Sequence, residues 1–235
     1  MNKIVIYTLT IVAFAAFGCT SQSTVDITPH EADPAAELIY QDALETSTYY
    51  DIDSTMKALQ LLDSALIIDS LNPDYYGLKA KLISELGNLD SALTILQFAE
   101  KRGAITGEYL FQKGLLEAAK SRKQEAKESF RRSNEILKAV LKQYPDSLGA
   151  FIIQQAANAL YFEADSLYMT DVPAIRERFS DRLMEIEMTR RLHPSNLVKQ
   201  LKEIEKDYLF PSDAEMDKLI EEALEEQKNK KENLD

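Results

Sequence analysis

The chain has 235 residues, a formal net charge of −12 and 45% apolar residues, which is typical of a globular protein with a real hydrophobic core. That acidity disfavours nucleic acid as a partner, because phosphate backbones attract basic surfaces. Seven glycines and seven prolines are few, which disfavours sheet-rich folds and glycine-rich phosphate loops. One cysteine and two histidines exclude an internal disulfide and leave little material for a metal centre, so we expect neither metal nor cofactor.

Residues 1–18 are typical of a signal peptide. Lys3 is followed by a mostly apolar run that is shorter than the roughly 20 residues of a membrane-spanning helix. The run ends in Ala16-Phe17-Gly18, directly before Cys19, the only cysteine. This segment resembles the lipobox of bacterial lipoproteins, and the resemblance implies cleavage before Cys19 and attachment of lipid, palmitate included, to the new N-terminus.

Two other interpretations of this segment stay open. Ala16 and Phe17 depart from the leucine and the small residue that lipoboxes prefer, so cleavage by the ordinary signal peptidase or an uncleaved anchor are the alternatives. Residues 19–34 are polar and acidic, which predicts a flexible tether between anchor and domain. No acidic cluster follows Cys19 directly, which by resemblance favours an outer-membrane lipoprotein that faces the periplasm, with surface exposure as the alternative.

A small–large–small triplet recurs along the chain with a spacing of 34 residues. Its members are Ala58, Leu62 and Ala65, then Ala92, Leu96 and Ala99, then Ala126, Phe130 and Ser133. Positions i, i+4 and i+7 lie on one face of an α-helix, so each triplet sets a large side chain between two small ones. The spacing predicts stacked helical units, because periods of this length are typical of solenoids.

These residues resemble the tetratricopeptide repeat (TPR), a helix–turn–helix unit. Ala80 and Gly87 fit the pattern in the second unit and Gly114 in the third, where Ser121 replaces the turn glycine. The resemblance covers residues 35–145 and implies an all-α fold, a right-handed TPR-like α-solenoid of about three helix hairpins. A plain helical bundle with accidental spacing is the alternative.

Two local features refine this expectation. Ser121 with Gln124 predicts a capping box at the start of the next helix. Ala43 and Ala58 are fifteen residues apart, where twelve is the corresponding spacing in the second unit, so we expect a turn about three residues longer in the first unit.

Beyond residue 145 the period breaks, but apolar stripes still predict helices. We expect residues 146–226 to form a helical extension that caps the open end of the stack, and residues 227–235 to form a polar tail. Two helices are expected from apolar stripes, the first at Ala150, Ile153, Ala157, Leu160 and Ala164 and the second at Ile175, Phe179, Leu183 and Ile186. Two shorter helices are expected to follow, one after Ser195 and one that opens with Ser212-x-x-Glu215.

Enzyme chemistry finds little support. His30 lies in the tether, where nothing is expected to hold a general base, and His193 precedes Pro194 at a predicted turn. Cys19 lies outside any predicted fold, so no paired nucleophile is available. We therefore expect no catalytic residue.

The TPR resemblance implies a groove for a peptide or a partner helix, lined by the first helices of successive units. The expected groove residues are Asp74, Gly77, Lys81, Ser84 and Glu85, followed by Glu108, Phe111, Leu115, Ala118 and Ala119. The apolar members favour helix-in-groove recognition, while packing on the next helix pair is the alternative.

Positive charge is concentrated in residues 101–142, which hold eleven Lys or Arg residues against five acids. The expected basic patch comprises Lys120, Arg122, Lys123, Lys127, Arg131 and Arg132. Such a concentration of charge usually indicates a solvent-exposed helix face. The sharper hypothesis is a docking site for an acidic partner or for the chain's own acidic tail.

Together these features resemble TPR lipoproteins of the bacterial envelope. They predict a lipid-anchored periplasmic or outer-membrane scaffold or adaptor whose partner is another envelope protein or a peptide segment. A periplasmic solute- or glycan-binding module is the alternative from another class, and an enzyme comes third. No oligomeric state is indicated.

Overall fold

The computed structural model describes residues 30–49, 51–191 and 193–207, and within these ranges it contains ten α-helices, one short 3-10 helix and no strand. Three helix hairpins come first: α1 (Pro34–Ser47) with α2 (Ile52–Ile68), α3 (Pro73–Glu85) with α4 (Leu89–Lys101), and α5 (Gly107–Ala119) with α6 (Lys123–Gln143). They are followed by α7 (Leu148–Tyr161), the 3-10 helix (Asp165–Leu167), α8 (Val172–Arg178), α9 (Leu183–Thr189) and α10 (Pro194–Asp207). The signal segment, Cys19, the predicted helix at Ser212 and the polar tail lie outside the described residues.

The triplet positions form the cores of the three hairpins. All nine side chains are at most 3% exposed, and each triplet lies on the second helix of its hairpin. Small residues at both ends of a triplet let neighbouring helices approach closely, so the large central residue fills the space between them. The triplets therefore lie where the helices of each hairpin meet.

Close helix contact is most pronounced in the third hairpin. A Cβ atom added to Gly114 would lie 2.6 Å from Phe130, and one added to Gly107 would lie 2.4 Å from Leu137. Across the same interface, the Ser133 hydroxyl donates a hydrogen bond to the Gly107 carbonyl at 2.7 Å. Helices α5 and α6 therefore touch at positions where only glycine fits.

The first helices of the hairpins pack side by side. Helix α1 contacts α3, α3 contacts α5, and α5 contacts α7, whereas the second helices make at most marginal contacts with one another. We refer to α1, α3, α5 and α7 as the first-helix row. It presents a continuous helical surface that runs along the chain order.

The predicted capping box at Ser121 is wrong. Arg122 is the N-cap residue of α6 and makes no side-chain cap, while Ser121 adopts φ 61°. An N-cap side chain needs an extended backbone, which a left-handed residue cannot supply. Ser121 instead takes the turn conformation of Gly87 in the second hairpin, where φ is 86°.

The predicted long turn in the first hairpin is also wrong in its main part. Its connection spans residues 48–51, one residue more than the connection at residues 86–88 of the second hairpin. Most of the extra residues lengthen α2 at its start, because Asp51 caps that helix by accepting a hydrogen bond from the Ser54 amide at 2.8 Å.

Helices α7, α8 and α9 form a separate apolar cluster after the hairpins. Phe151, Ile175, Phe179 and Ile186 are buried there, with the rings of Phe151 and Phe179 5.2 Å apart. The single helix predicted from the stripe at 175–186 is wrong, because the chain turns at Phe179 so that its ring reaches Phe151. Leu183 consequently leaves the core and is 45% exposed.

Candidate functional site

The expected groove residues lie on the first-helix row, on α3 and α5. Ser84 and Ala119 are buried, Gly77, Phe111, Leu115 and Ala118 are half-buried, and Asp74, Lys81, Glu85 and Glu108 are exposed. Phe111 packs against Phe130 at 6.0 Å between ring centroids, so its ring contacts the second helix of its own hairpin. The Gln112 side chain donates a hydrogen bond to the Gly77 carbonyl at 3.0 Å and so joins α3 to α5.

Helix α10 lies across this row and contacts α3, α5 and α7. It begins beside the 3-10 helix, where Asp165 accepts hydrogen bonds from the amide and the hydroxyl of Ser195 at 3.0 and 2.5 Å. Leu201, near its middle, packs against the core cluster of the second and third hairpins. The row is therefore occupied in part by the chain's own C-terminal helix.

Lys120, at the end of α5, joins the row to α10. Its ammonium group lies 2.6 Å from Glu205 of α10 and 2.7 Å from Asp90 at the start of α4. These hydrogen bonds to Asp90 and Glu205 raise the pKa of Lys120 above its ordinary value, so the ammonium stays charged. Eighty-five residues separate Lys120 from Glu205, and sequence reasoning missed the pair.

The expected basic patch is not one open surface. Arg131 binds Glu128 and Glu135 on its own helix, and Arg132 reaches Glu100 of α4 at 2.5 Å. Lys120 and Arg122 both meet Asp90. Among the described residues only Lys123 and Lys127 of the patch lack a carboxylate within 4.0 Å, since the chain's own acids pair with the other four.

A buried ionic cluster inside the third hairpin was not expected from the sequence. Lys113 is 9% and Glu117 3% exposed, and their charged atoms are 2.9 Å apart. Glu100 joins the cluster through Lys113 at 3.2 Å and through Arg132. Burial would raise the pKa of Glu100, but hydrogen bonds from Arg132 and Lys113 outweigh burial and lower it. The i,i+4 spacing of Lys113 and Glu117 is the only signal that the sequence offered.

A cavity of about 470 Å³ lies between α10, the end of α5, the start of α6 and the end of α7. Its apolar lining consists of Ala118, Ala126, Phe130, Ala159, Leu160, Ala164 and Val198. Lys123, Lys127 and Lys199 also line it, as do the acids Glu163 and Asp165. The Lys127 ammonium lies 5.5 Å from the ring centre of Tyr161. Helix α10 thus leaves unfilled space beside it.

The structure corrects the expectation for His30. The imidazole is held, because its Nε2 atom lies 2.9 and 2.8 Å from the two carboxylate oxygens of Asp69. Burial acts to raise the pKa of Asp69, but the hydrogen bonds from His30 and from the amides of Asp33 and Leu71 lower it. This pair fastens the start of the described chain to the end of α2. His193 is exposed, and its carbonyl accepts a hydrogen bond from the Asn196 amide at 2.8 Å in the first turn of α10.

The described residues contain neither a candidate metal cluster nor a candidate membrane-spanning helix. In that part of the chain no three His, Cys, Asp or Glu side chains lie close enough to hold a metal ion. None of the described helices combines the length and apolar character needed to cross a bilayer.

Comparison with known proteins adds no relative to these observations. No family model matches the chain, and neither a similar curated protein nor a similar solved structure is found. Inference about function therefore starts from the first-helix row and the helix that lies on it.

Proposed function

We propose that the chain is a lipid-anchored scaffold or adaptor of the bacterial cell envelope, built as a right-handed TPR-like α-solenoid. In this proposal a lipid on Cys19 anchors the chain on the periplasmic side of the outer membrane. The first-helix row holds a helical segment of another envelope protein. Helices α7 to α9 cover the end of the stack, and no catalytic residue is required.

One observation carries the proposal: an amphipathic helix already lies on the first-helix row. Helix α10 contacts three successive members of the row, α3, α5 and α7, and crosses them rather than extending the hairpin series. A surface that accepts one helix in this way supplies the shape and the apolar contacts of helix-in-groove recognition.

The repeat pattern supports the TPR-like part of the proposal. Corresponding residues are buried on the second helix of each of the three hairpins, and Gly87 and Ser121 both take left-handed turn conformations. A chance spacing would leave no reason for three triplets to share one structural role.

Site-specific photo-crosslinking tests the adaptor proposal in cells. A benzoylphenylalanine at Lys81 or Glu85, both exposed on α3, is expected to yield the same dominant protein adduct, identified by mass spectrometry. The matched control position is Thr94, exposed on the second helix α4, where we expect no such adduct. Equal adducts at all three positions, or none at the α3 positions, would contradict the proposal.

Labelling with radioactive palmitate tests the anchor separately. The unsubstituted chain is expected to take up label and the Cys19→Ser variant is not. Equal labelling of the two chains would contradict the proposed lipid anchor but not the proposed adaptor role.

The cavity beside α10 favours a second candidate, a solute-binding module. Among the described residues, Phe130 is the one aromatic side chain that lines the cavity, which gives a glycan little to stack on. The three lysines outnumber the two acids of the lining, Glu163 and Asp165, and Asp165 is already bonded to Ser195, so the balance favours an anionic solute with an apolar body. Laurate should then raise the melting temperature while dodecylamine does not, and Ala159→Leu, which fills the cavity, should abolish the shift.

A further inference from the structure

Helix α10 is less well packed than the surface it covers. Leu197, Val198, Leu201 and Ile204 form its apolar face, and each of them is only half-buried. Among residues 194–206, for which the structure describes burial, Pro194 at the start of the helix is the one that is fully buried. The cavity of about 470 Å³ along Val198 removes packing partners from the same face.

Polar contacts hold α10 near its two ends. Asp165 binds Ser195 at the start, and Lys120 binds Glu205 near the end. The Lys120 and Glu205 side chains are 22% and 34% exposed, so solvent partly screens this ion pair and limits its contribution. A helix of fourteen residues is also marginal in water without tertiary packing. Once undocked, α10 therefore does not persist as a stable free helix.

The first-helix row keeps its charges paired when α10 undocks. When Glu205 leaves, Lys120 keeps its contact with Asp90 at 2.7 Å, so no buried cation is left unpaired. Departure exposes the part of the second and third hairpins against which Leu201 packs, and Ala118, which lines the cavity together with Val198. This apolar surface lies beside Lys120 and therefore suits a second amphipathic helix that carries a carboxylate.

We propose that α10 is an internal ligand of the first-helix row, and that the partner's helix takes its place. The inference rests on the adaptor function proposed above and specifies its partner. That helix carries apolar residues at the spacing of Val198, Leu201 and Ile204, with a carboxylate four residues after the central one, as Glu205 follows Leu201. The carboxylate meets Lys120, and exchange of one helix for the other makes binding competitive.

A peptide with the sequence of residues 194–207, labelled with fluorescein, tests this exchange on the full-length chain. Leu201→Asp in the chain places a charge where α10 meets the core cluster and frees the row without altering it. We expect fluorescence anisotropy to show binding about tenfold tighter than to the unsubstituted chain, since a competing state lowers apparent affinity by the fraction that is competent.

Gln200→Asp is the matched control, because it adds the same charge at the neighbouring exposed position. This variant should bind the peptide as the unsubstituted chain does. In the Leu201→Asp chain, Lys120→Glu should weaken peptide binding about threefold, and a peptide with Glu205→Lys should recover it. Thermal unfolding of each variant verifies that the hairpins remain folded.

Equal affinity for the unsubstituted and Leu201→Asp chains would overturn the exchange, because the peptide would then bind elsewhere. Failure of the peptide to bind either folded chain would overturn it as well. The photo-crosslinking at Lys81 and Glu85 remains an independent readout. Adducts without peptide exchange keep the adaptor and reject the internal ligand, whereas exchange without adducts rejects the adaptor as proposed.

Discussion

The repeat hairpins and helix α10 are both amphipathic, yet they are packed to different degrees. Leu62, Leu96 and Phe130 are at most 3% exposed, whereas Leu201 of α10 is only half-buried. In the hairpins, small residues on either side of the large one allow close helix contact. In α10, Leu201 is flanked on the same face by the large residues Leu197 and Ile204 instead. Global stability is therefore expected to come from the hairpins, and α10 is expected to open locally at lower cost.

The largest expected effect comes from truncating the same residue type in both regions. Leu96→Ala should lower the free energy of unfolding by about 3 kcal/mol, because it leaves a cavity in a fully packed core. Leu201→Ala should lower it by about 1 kcal/mol or less, because the side chain is already partly in water. Urea unfolding of both variants measures the difference, and equal losses would break the contrast between the regions.

Glycine substitutions test the closeness of helix packing. Gly114→Ala should destabilise the chain by about 2 kcal/mol, because its Cβ would lie 2.6 Å from the Phe130 ring. Gly149→Ala in α7 is the matched control, since a Cβ there meets nothing within 4 Å and should stabilise the helix by about 0.5 kcal/mol. Stabilisation by both substitutions in thermal unfolding would show that α5 and α6 are less tightly packed than described.

Acid titration tests the buried ionic cluster of the hairpins. The pKa of Glu100 is lowered from its ordinary value of 4.5, so its contribution is present above pH 4.5 and is lost as the pH falls through the lowered value. Glu100→Gln should lower the free energy of unfolding by about 1 kcal/mol at pH 6 and by less at pH 3. Glu125→Gln, at an exposed position, is the control, and a pH-independent loss for Glu100→Gln would contradict the ionic cause.

The smallest expected effect concerns the left-handed turn before α6. Ser121→Gly should stabilise the chain by about 0.5 kcal/mol, because φ 61° is costly for residues with a side chain. Ser64→Gly, in the exposed interior of α2, should instead destabilise by about 0.5 kcal/mol. Differential scanning calorimetry distinguishes the two signs, and destabilisation by Ser121→Gly would remove the equivalence of the Ser121 and Gly87 turns.

Much of the hairpin region was predictable because its signals are local. The triplets at Ala58, Ala92 and Ala126 repeat within helices, and helical periodicity converts spacing directly into a shared face. The capping box at Ser121 and the single helix through Phe179 were predicted wrongly. At Ser121 the backbone adopts a left-handed turn, and at Phe179 the helix ends so that the ring contacts Phe151. The pattern of residue types alone does not indicate either backbone conformation.

The candidate site depended far more on distant contacts. The ten groove positions were placed on α3 and α5, yet the sequence did not indicate that α10 contacts these two helices. Four of the six basic residues were already paired with acids of the chain, as Arg132 is with Glu100. Residue counts report charge, but neutralisation depends on distances of a few ångströms between helices.

By itself, the sequence determined an all-α chain, the three buried triplets and the surface on which a groove was expected, because helix propensity and periodicity act over a few turns. Only the tertiary structure decided that Lys120 pairs with Glu205 and that Lys113 and Glu117 are buried together. It also decided that α10 occupies the row while leaving a cavity beside it. These features arise from packing between segments far apart in the chain, and local patterns carry no information about which surfaces meet.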